Sequence, residues 1–246
     1  MKILGIIPAR YASSRFPGKP LTDLRGKSMI QRVYDRCQLS GLDTVVVATD
    51  DERIYNHIQG WNGNVEMTDS THTSGTDRCA EIAKRHTDYD IVINIQGDEP
   101  LIHPDTINQC IKLIKEGFDI STLCRVIEQE EEVTNPNVVK VTFGTNNNAL
   151  YFSRSTIPFV RNYDPSEWNR HADFHKHLGI YGFTRKALLE VSQLPVGRLE
   201  SIEKLEQLRW LEAGYAIGID KTEHDSIGLD TPEQVARIES LLKENE

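Results

Sequence analysis

The sequence predicts an α/β fold, a mainly parallel sheet flanked by helices. Two observations carry this. Short apolar, β-rich runs recur at residues 3–7, 44–48, 91–95, 120–126, 138–143 and 149–152, and helix-like segments lie between several of them. That alternation is the pattern of βαβ units.

The first run, Ile3, Leu4, Ile6 and Ile7, is stopped by Pro8 and reads as a strand buried on both faces. It empties into a cationic loop in which Arg10, Arg15 and Lys19 fall within ten residues, beside Ala12, Ser13, Ser14 and Gly18. Small residues let backbone N–H groups approach an anion, so the loop reads as a phosphate pocket; the alternative is an ordinary solvated βα loop. Neither G-x-G-x-x-G nor the G-x-x-x-x-G-K-[ST] pattern occurs there.

Residues 29–40 predict the first helix, with Ile30, Val33, Tyr34 and Cys37 on one face and Gly41 closing it. The second strand ends in Thr49-Asp50-Asp51, where Asp50 is placed to cap a helix over 52–59. The stretch His72-Thr73-Ser74-Gly75-Thr76-Asp77-Arg78 leads into a helix over 79–86. It offers amides, hydroxyls and a charge to a base, ribose or phosphate, or else is simply a capped helix start.

The third strand ends Asn94-Ile95-Gln96-Gly97-Asp98-Glu99-Pro100, at the sheet edge where ligands of open α/β sheets bind. Asp98 is the leading candidate ligand for a hard divalent ion such as Mg²⁺; otherwise it closes a turn or caps the helix that follows. That helix is predicted over 104–117, with an Ile107, Ile111 and Ile114 stripe. Residues 162–173 turn polar and aromatic and predict an irregular loop. Residues 201–214 predict one amphipathic helix through Ile202, Leu205, Leu208 and Leu211. The last helix follows Thr231-Pro232. Asp230, just before it, is a turn residue or, paired with Asp98, the second carboxylate of a metal site.

Arg154, Arg161, His177, Tyr181, Glu206 and Gln207 suit a hydroxylated, carboxylated second substrate, arginine serving the carboxylate. The plainer alternatives are a solvated helix face for Glu206 and Gln207 and a structural role for His177.

At 246 residues the chain accommodates one large α/β domain or a domain with an insertion. Its net charge of −9 argues against non-specific binding to nucleic acid or an anionic membrane, while a local basic cluster still suits a small phosphorylated metabolite. Cys37, Cys79, Cys110 and Cys124 are scattered, without metal or disulfide spacing. No targeting pattern and no run near ~18 apolar residues is present, so a cytoplasmic protein without an anchor is expected.

Taken in order, these blocks resemble the 3-deoxy-manno-octulosonate (Kdo) cytidylyltransferases of lipopolysaccharide synthesis, nearly end to end. The resemblance runs through Ile7-Pro8-Ala9-Arg10-Tyr11-Ala12-Ser13, Pro17-Gly18-Lys19-Pro20-Leu21, Val47-Ala48-Thr49-Asp50, Ser74-Gly75-Thr76-Asp77-Arg78 and Gln96-Gly97-Asp98-Glu99-Pro100. It continues through Tyr151-Phe152-Ser153-Arg154, His177-Leu178-Gly179-Ile180-Tyr181, Leu205-Glu206-Gln207-Leu208-Arg209 and Asp230-Thr231-Pro232-Glu233.

The resemblance implies a Rossmann-like sheet of the nucleotide-diphospho-sugar transferase type, a single domain over 1–246 with a smaller sugar-binding and dimerisation segment over roughly 149–200. It implies the reaction CTP + Kdo = CMP-Kdo + pyrophosphate, with Mg²⁺, by a homodimer. Arg10, Arg15 and Lys19 are then expected on the triphosphate, and Ala9, Ser74, Thr76, Arg78 and Gln96 around the cytidine. Asp98 and Asp230 are expected on Mg²⁺, and Arg154, His177, Tyr181, Glu206 and Gln207 around the sugar; Arg10, Lys19, Asp98 and Asp230 carry the catalysis. Lys176, where arginine is common, and Gly197-Arg198-Leu199-Glu200, where a proline-rich turn is common, depart from the family pattern on the sugar side and leave room for an 8-amino analogue. Other readings are a cytidylyltransferase for a sialic-acid-like sugar, a non-catalytic nucleotide sensor and a dehydrogenase. The sensor gives no reason for Lys19, Asp98 and Asp230 together, and the dehydrogenase lacks its glycine fingerprint.

Overall fold

The computed structural model describes residues 1–12, 16–225 and 227–244. In chain order the elements are β1 (Ile3–Ala9), a small hairpin of β2 (Asp23–Leu24) and β3 (Lys27–Ser28), α1 (Met29–Gln38), β4 (Thr44–Thr49), α2 (Glu52–Gln59), β5 (Val65–Met67), α3 (Gly75–Arg85), β6 (Ile91–Asn94), α4 (Pro104–Lys115), β7 (Ile120–Val126), α5 (Glu130–Thr134), β8 (Lys140–Phe143), β9 (Ala149–Ser153), β10 (His175–Thr184), α6 (Arg185–Val191), α7 (Arg198–Glu203), α8 (Gln207–Glu212), β11 (Ile217–Lys221) and α9 (Val235–Glu244).

The main sheet runs β11-β7-β10-β6-β1-β4-β5, with β8 and β9 attached beside β10. The pairs β1–β4, β1–β6, β4–β5 and β7–β11 are parallel. Strand β10 lies antiparallel between β6 and β7. The expected mainly parallel sheet is therefore present, split by antiparallel β10, with β8 and β9 adding antiparallel pairs beside it, which periodicity alone does not announce.

Strand alternation sorts the core onto two faces. Ile3, Ile7, Val45, Val47, Ile91 and Ile93 pack with Ile30 and Val33 of α1, Ile54 and Ile58 of α2, and Ile107, Ile111 and Ile114 of α4. Leu4, Ile6, Val46, Ala48 and Val92 pack on the other face, with Cys79 and Ile82 of α3, Leu188 and Val191 of α6, and Leu208 and Trp210 of α8. All four cysteines are free and buried. Among the described residues no helix is long and apolar enough to cross a membrane.

Several local expectations are corrected. Strand β1 continues past Pro8 to Ala9. Ile6 O accepts from Ile95 N on the β6 side, and Pro8, two residues on, faces the same side after the β6 ladder has ended, so its missing N–H costs no ladder bond. Helix α1 ends at Gln38 with Leu39 as its C-cap, before Gly41, whose N–H donates instead to Asn108 Oδ1 at 2.8 Å. The cap of α2 is Asp51 rather than Asp50. Residues Pro165–Arg170 form a 3₁₀ turn inside the predicted loop, and a 3₁₀ turn over Pro232–Gln234 precedes α9.

The largest correction concerns residues 201–214. One helix was expected; the chain forms two, α7 and α8, broken at Lys204 with φ +55°. Arg209 clamps the break with a fork onto Glu200, Nε–Oε2 2.7 Å and Nη2–Oε1 2.6 Å. Ile202 is left 67 % exposed, off the predicted stripe, while Leu205 and Leu208 are buried.

Candidate active site

The site lies where β1, β4 and β6 end. Gly97 makes the turn after β6 possible: a Cβ there would stand 2.8 Å from Pro8 O. That close approach brings the Gln96–Asp98 segment against the end of β1. The loop after β1 folds back through Gly18 at φ +74°, whose N–H donates to Tyr11 O at 2.9 Å, and Lys19 opens the 3₁₀ turn that follows.

Asp230 arrives from the far end of the chain. Leu229 N donates to Asp98 O at 2.8 Å, and Leu229 is buried with Leu24, Met29 and Ile238 and Leu242 of α9. Asp230 N donates to Gln234 Oε1 at 2.6 Å. With both backbones fixed, the two carboxylates converge on one ammonium group: Lys19 Nζ is 2.7 Å from Asp98 Oδ2 and 3.5 Å from Asp230 Oδ1. They therefore already face a cation. Two hard oxygen donors beside an open cleft fit Mg²⁺, which takes one or two carboxylates and completes its shell from water and phosphate. The adjoining cleft, of about 370 Å³, is lined by Pro8, Ala9, Arg10, Lys19, Gln96 and Asp98 among others. The alternative for Asp98 as a helix cap is not realised, since His103 caps α4. Arg15 lies outside the described residues.

On the other side of β6, Ser74 caps α3, accepting from Asp77 N at 3.1 Å, while Ser74 N donates to Asp77 Oδ2 at 3.2 Å. Thr76 Oγ1 donates to Glu206 Oε2 at 2.8 Å. The break between α7 and α8 is what brings Glu206 to α3; its carboxyl is pushed up by burial, opposed by the Thr76 hydroxyl. Gln207 beside it is buried. Arg78, expected near the cytidine, is fully buried and bonds Thr68 Oγ1 and Asp50 Oδ2, the latter at 3.0 Å. In this arrangement it braces the ends of β4 and α3.

Gln96 joins the two halves. Its Nε2 donates to Gly179 O at 3.0 Å, within the irregularity of β10 between Leu178 and Tyr181. Thr122 Oγ1 donates into the same irregularity and lies 2.9 Å from His177 Nε2. Burial pushes the His177 imidazole down to about 3, so it is neutral near pH 7. Tyr181 packs edge-on against Trp210 at 5.0 Å, with its ring 5.3 Å from His177.

Tyr181 stands directly opposite Asn94 across the β10–β6 ladder. Its hydroxyl and Asn94 Oδ1 are both buried without a hydrogen-bond partner among the described residues. Buried polar atoms in native proteins are almost always hydrogen-bonded, so the two mark a place where a polar ligand group or water would be accommodated. Sequence reasoning missed Asn94; the signal was a polar residue two before Gln96 in the otherwise apolar run Ile91-Val92-Ile93-Asn94-Ile95-Gln96, hence on the same strand face.

One expected sugar contact, Arg154, and Lys176, which departs from the family pattern, are committed elsewhere in this structure. Arg154 Nε, Nη1 and Nη2 donate to the carbonyls of Glu203, Pro136 and Lys204. Lys176 bridges Glu132 and Asp225 at 3.1 and 2.9 Å.

Carboxylates and a lysine converging at the end of a parallel strand, beside a cleft lined by Arg10, are the arrangement of an α/β protein that handles phosphates. Residues 4–222 match the family model described as cytidylyltransferase. The chain is 48 % identical over 249 residues to a 3-deoxy-manno-octulosonate cytidylyltransferase of Parabacteroides distasonis, covering 98 % of each. It is also 48 % identical over 248 residues to an 8-amino-3,8-dideoxy-manno-octulosonate cytidylyltransferase of Shewanella halifaxensis, covering 98 % of this chain and 99 % of that one. A solved structure, CMP:2-keto-3-deoxy-manno-octonic acid synthetase complexed with CTP, superposes with TM-score 0.93 at 40 % identity, each chain fully covered. The chain belongs to the cytidylyltransferase family and, within it, to the 3-deoxy-manno-octulosonate cytidylyltransferases.

Proposed function

We propose that this protein transfers CMP from CTP to Kdo, releasing pyrophosphate, in the cytoplasm and for lipopolysaccharide synthesis. The observation that carries the reading is the convergence of Asp98, Asp230 and Lys19 beside the cleft at the end of β1. In the reaction the anomeric hydroxyl oxygen of the sugar bonds the α-phosphorus, and the bond from that phosphorus to pyrophosphate breaks.

Such a transfer needs position and charge neutralisation more than a covalent partner. Arg10 and Lys19, with Arg15 from the same loop, hold the triphosphate and stabilise the departing pyrophosphate. Ser74, Thr76 and Gln96, with the backbone of Ala9, enclose the cytidine, while Arg78, buried behind them, holds the ends of β4 and α3 in place. Asp98 and Asp230 hold Mg²⁺, which when bound neutralises phosphate charge and acidifies the sugar hydroxyl. His177, Tyr181, Glu206 and Gln207 orient the sugar, and Arg154 joins them if its carbonyl contacts are exchanged for the carboxylate. A homodimer is assembled through the segment after Ala149, where Leu150 and Phe159 are 64 % and 73 % exposed.

A second reading, activation of the 8-amino analogue, is favoured by the similarity to the Shewanella halifaxensis relative. The test is pyrophosphate release with CTP, comparing Kdo, its 8-amino analogue and sialic acid, with and without EDTA. EDTA-sensitive release with Kdo supports the proposal. Release with the amino sugar alone moves the assignment to that reading, and release with neither overturns the sugar pocket.

A further inference from the structure

Away from the cleft just described, His103, Asp105 and His224 bring two imidazoles and a carboxylate together, with one ligand atom of each lying within 4.8 Å of the others. We propose that these three side chains bind a divalent transition ion of the Zn²⁺ or Co²⁺ type, at a site separate from the Asp98–Asp230 pair.

The donor set points to that class of ion. Imidazole nitrogen with one carboxylate is a borderline ligand set that suits zinc and its neighbours and is poorly matched to Mg²⁺. Asp105 Oδ2 lies 3.6 Å from His103 Nδ1 and 3.8 Å from His224 Nε2. Ligands on a tetrahedral ion with bonds of ~2.0–2.1 Å are about 3.3 Å apart, so the two pairs that include Asp105 need a contraction of only a few tenths of an ångström. The rings are stacked at 3.6 Å with planes 13° apart, and an ion in the plane of both requires one ring to turn about its Cβ–Cγ bond. The His224 side chain is 36 % exposed, so that turn gives up the ring stack rather than core packing. His103 Nδ1 accepts from Asp105 N at 3.2 Å, and since the nitrogen has a single in-plane lone pair, binding exchanges that bond for one to the ion.

The scaffold under the three groups is fixed. His103 and Asp105 sit at the start of α4, and His224 follows β11. Gln109 of α4 donates to Lys221 O at 3.2 Å, Thr222 N donates to Cys124 O at 2.9 Å, and Asp225 pairs with Arg125 and Lys176 at 3.3 and 2.9 Å. The triad stands on a ridge between two clefts, His103 and His224 lining one of about 450 Å³, Asp105 and His224 the other of about 520 Å³. It therefore has open coordination positions for water. His103 comes five residues after Asp98 and His224 six before Asp230, so a bound ion ties together the two segments that carry the active-site carboxylates.

The test is calorimetric titration of the chelator-stripped full chain with ZnCl₂ in excess Mg²⁺, repeated on His224→Gln, Asp105→Asn and Asp98→Asn, with circular dichroism confirming that each variant is folded. One equivalent of Zn²⁺, weakened at least ~10-fold in His224→Gln and in Asp105→Asn but retained in Asp98→Asn, supports the site. So does a visible Co²⁺ absorption band of tetrahedral intensity that His224→Gln removes. Absence of Zn²⁺ binding, unchanged binding in His224→Gln and Asp105→Asn, or loss in Asp98→Asn, which would put the ion in the reaction centre, overturns it.

Discussion

Lys19 Nζ lies 2.7 Å from Asp98 Oδ2, across 79 residues of chain and with only 13 % of the lysine side chain exposed. The contact joins the strand–loop of β1 to the turn after β6, the two segments proposed to hold the triphosphate and the metal. A lysine held against carboxylates without substrate is released toward phosphate when a competing cation takes those carboxylates. With Mg²⁺ on Asp98 and Asp230 as proposed, the pair would couple metal and nucleotide binding.

Lys19→Ala should lower kcat for pyrophosphate release by about 10²–10³, the usual cost of removing one preorganised charge contact. The fold should persist, since the side chain sits at the rim of the cleft. A raised KM for CTP at unchanged kcat would make Lys19 a ground-state binding residue instead.

Asp98→Asn and Asp230→Asn should each abolish Mg²⁺-dependent turnover, and the double variant should be no slower than either single one, because the two act as a unit. Initial rates over a Mg²⁺ titration decide this. Near-normal rates in either single variant would remove that residue from the metal site.

Tyr181→Phe separates binding from stability. Its hydroxyl is buried and unpaired among the described residues, so removing it should leave the urea midpoint unchanged or slightly raised, since an unsatisfied buried group costs about 1–3 kcal/mol. The KM for the sugar should rise while that for CTP holds. A loss of stability with no change in either KM would mean that the hydroxyl serves the core.

His177 gives a pH dependence. Its folded-state value, pushed down to about 3 by burial, lies below the unfolded value of ~6.5, so between these limits the unfolded chain binds the extra proton. Stability should therefore fall as pH drops below ~6.5, by up to about 1.4 kcal/mol per pH unit from this group. Urea midpoints at pH 7.5 and 5 should differ less in His177→Gln than in the unmodified protein; equal differences would show that His177 is protonated in the folded state.

The carboxylate and lysine motifs were legible because each sits at a strand end or loop, where the chain's local pattern says which side chains are free to act. Asp50 and Arg78 were legible as polar residues but not in their roles: Asp51 caps α2, and Asp50 and Arg78 pair with each other across the ends of β4 and α3. Glu206 was singled out on the wrong element. The Ile202, Leu205, Leu208 and Leu211 spacing fits a single helix, yet the αL turn at Lys204 and the Glu200–Arg209 clamp split it, and only that split carries Glu206 to Thr76.

By itself the sequence determined the α/β class, the parallel βαβ core and the chemical character of each site segment, because apolar period and strand-end composition are local properties of the chain. Tertiary structure alone decided the antiparallel insertion of β10, the opposition of Tyr181 and Asn94, and the meeting of Asp98 with Asp230. Those depend on which strands pair and on backbone bonds such as Leu229 N to Asp98 O, which link residues far apart in the chain and leave no trace in local periodicity.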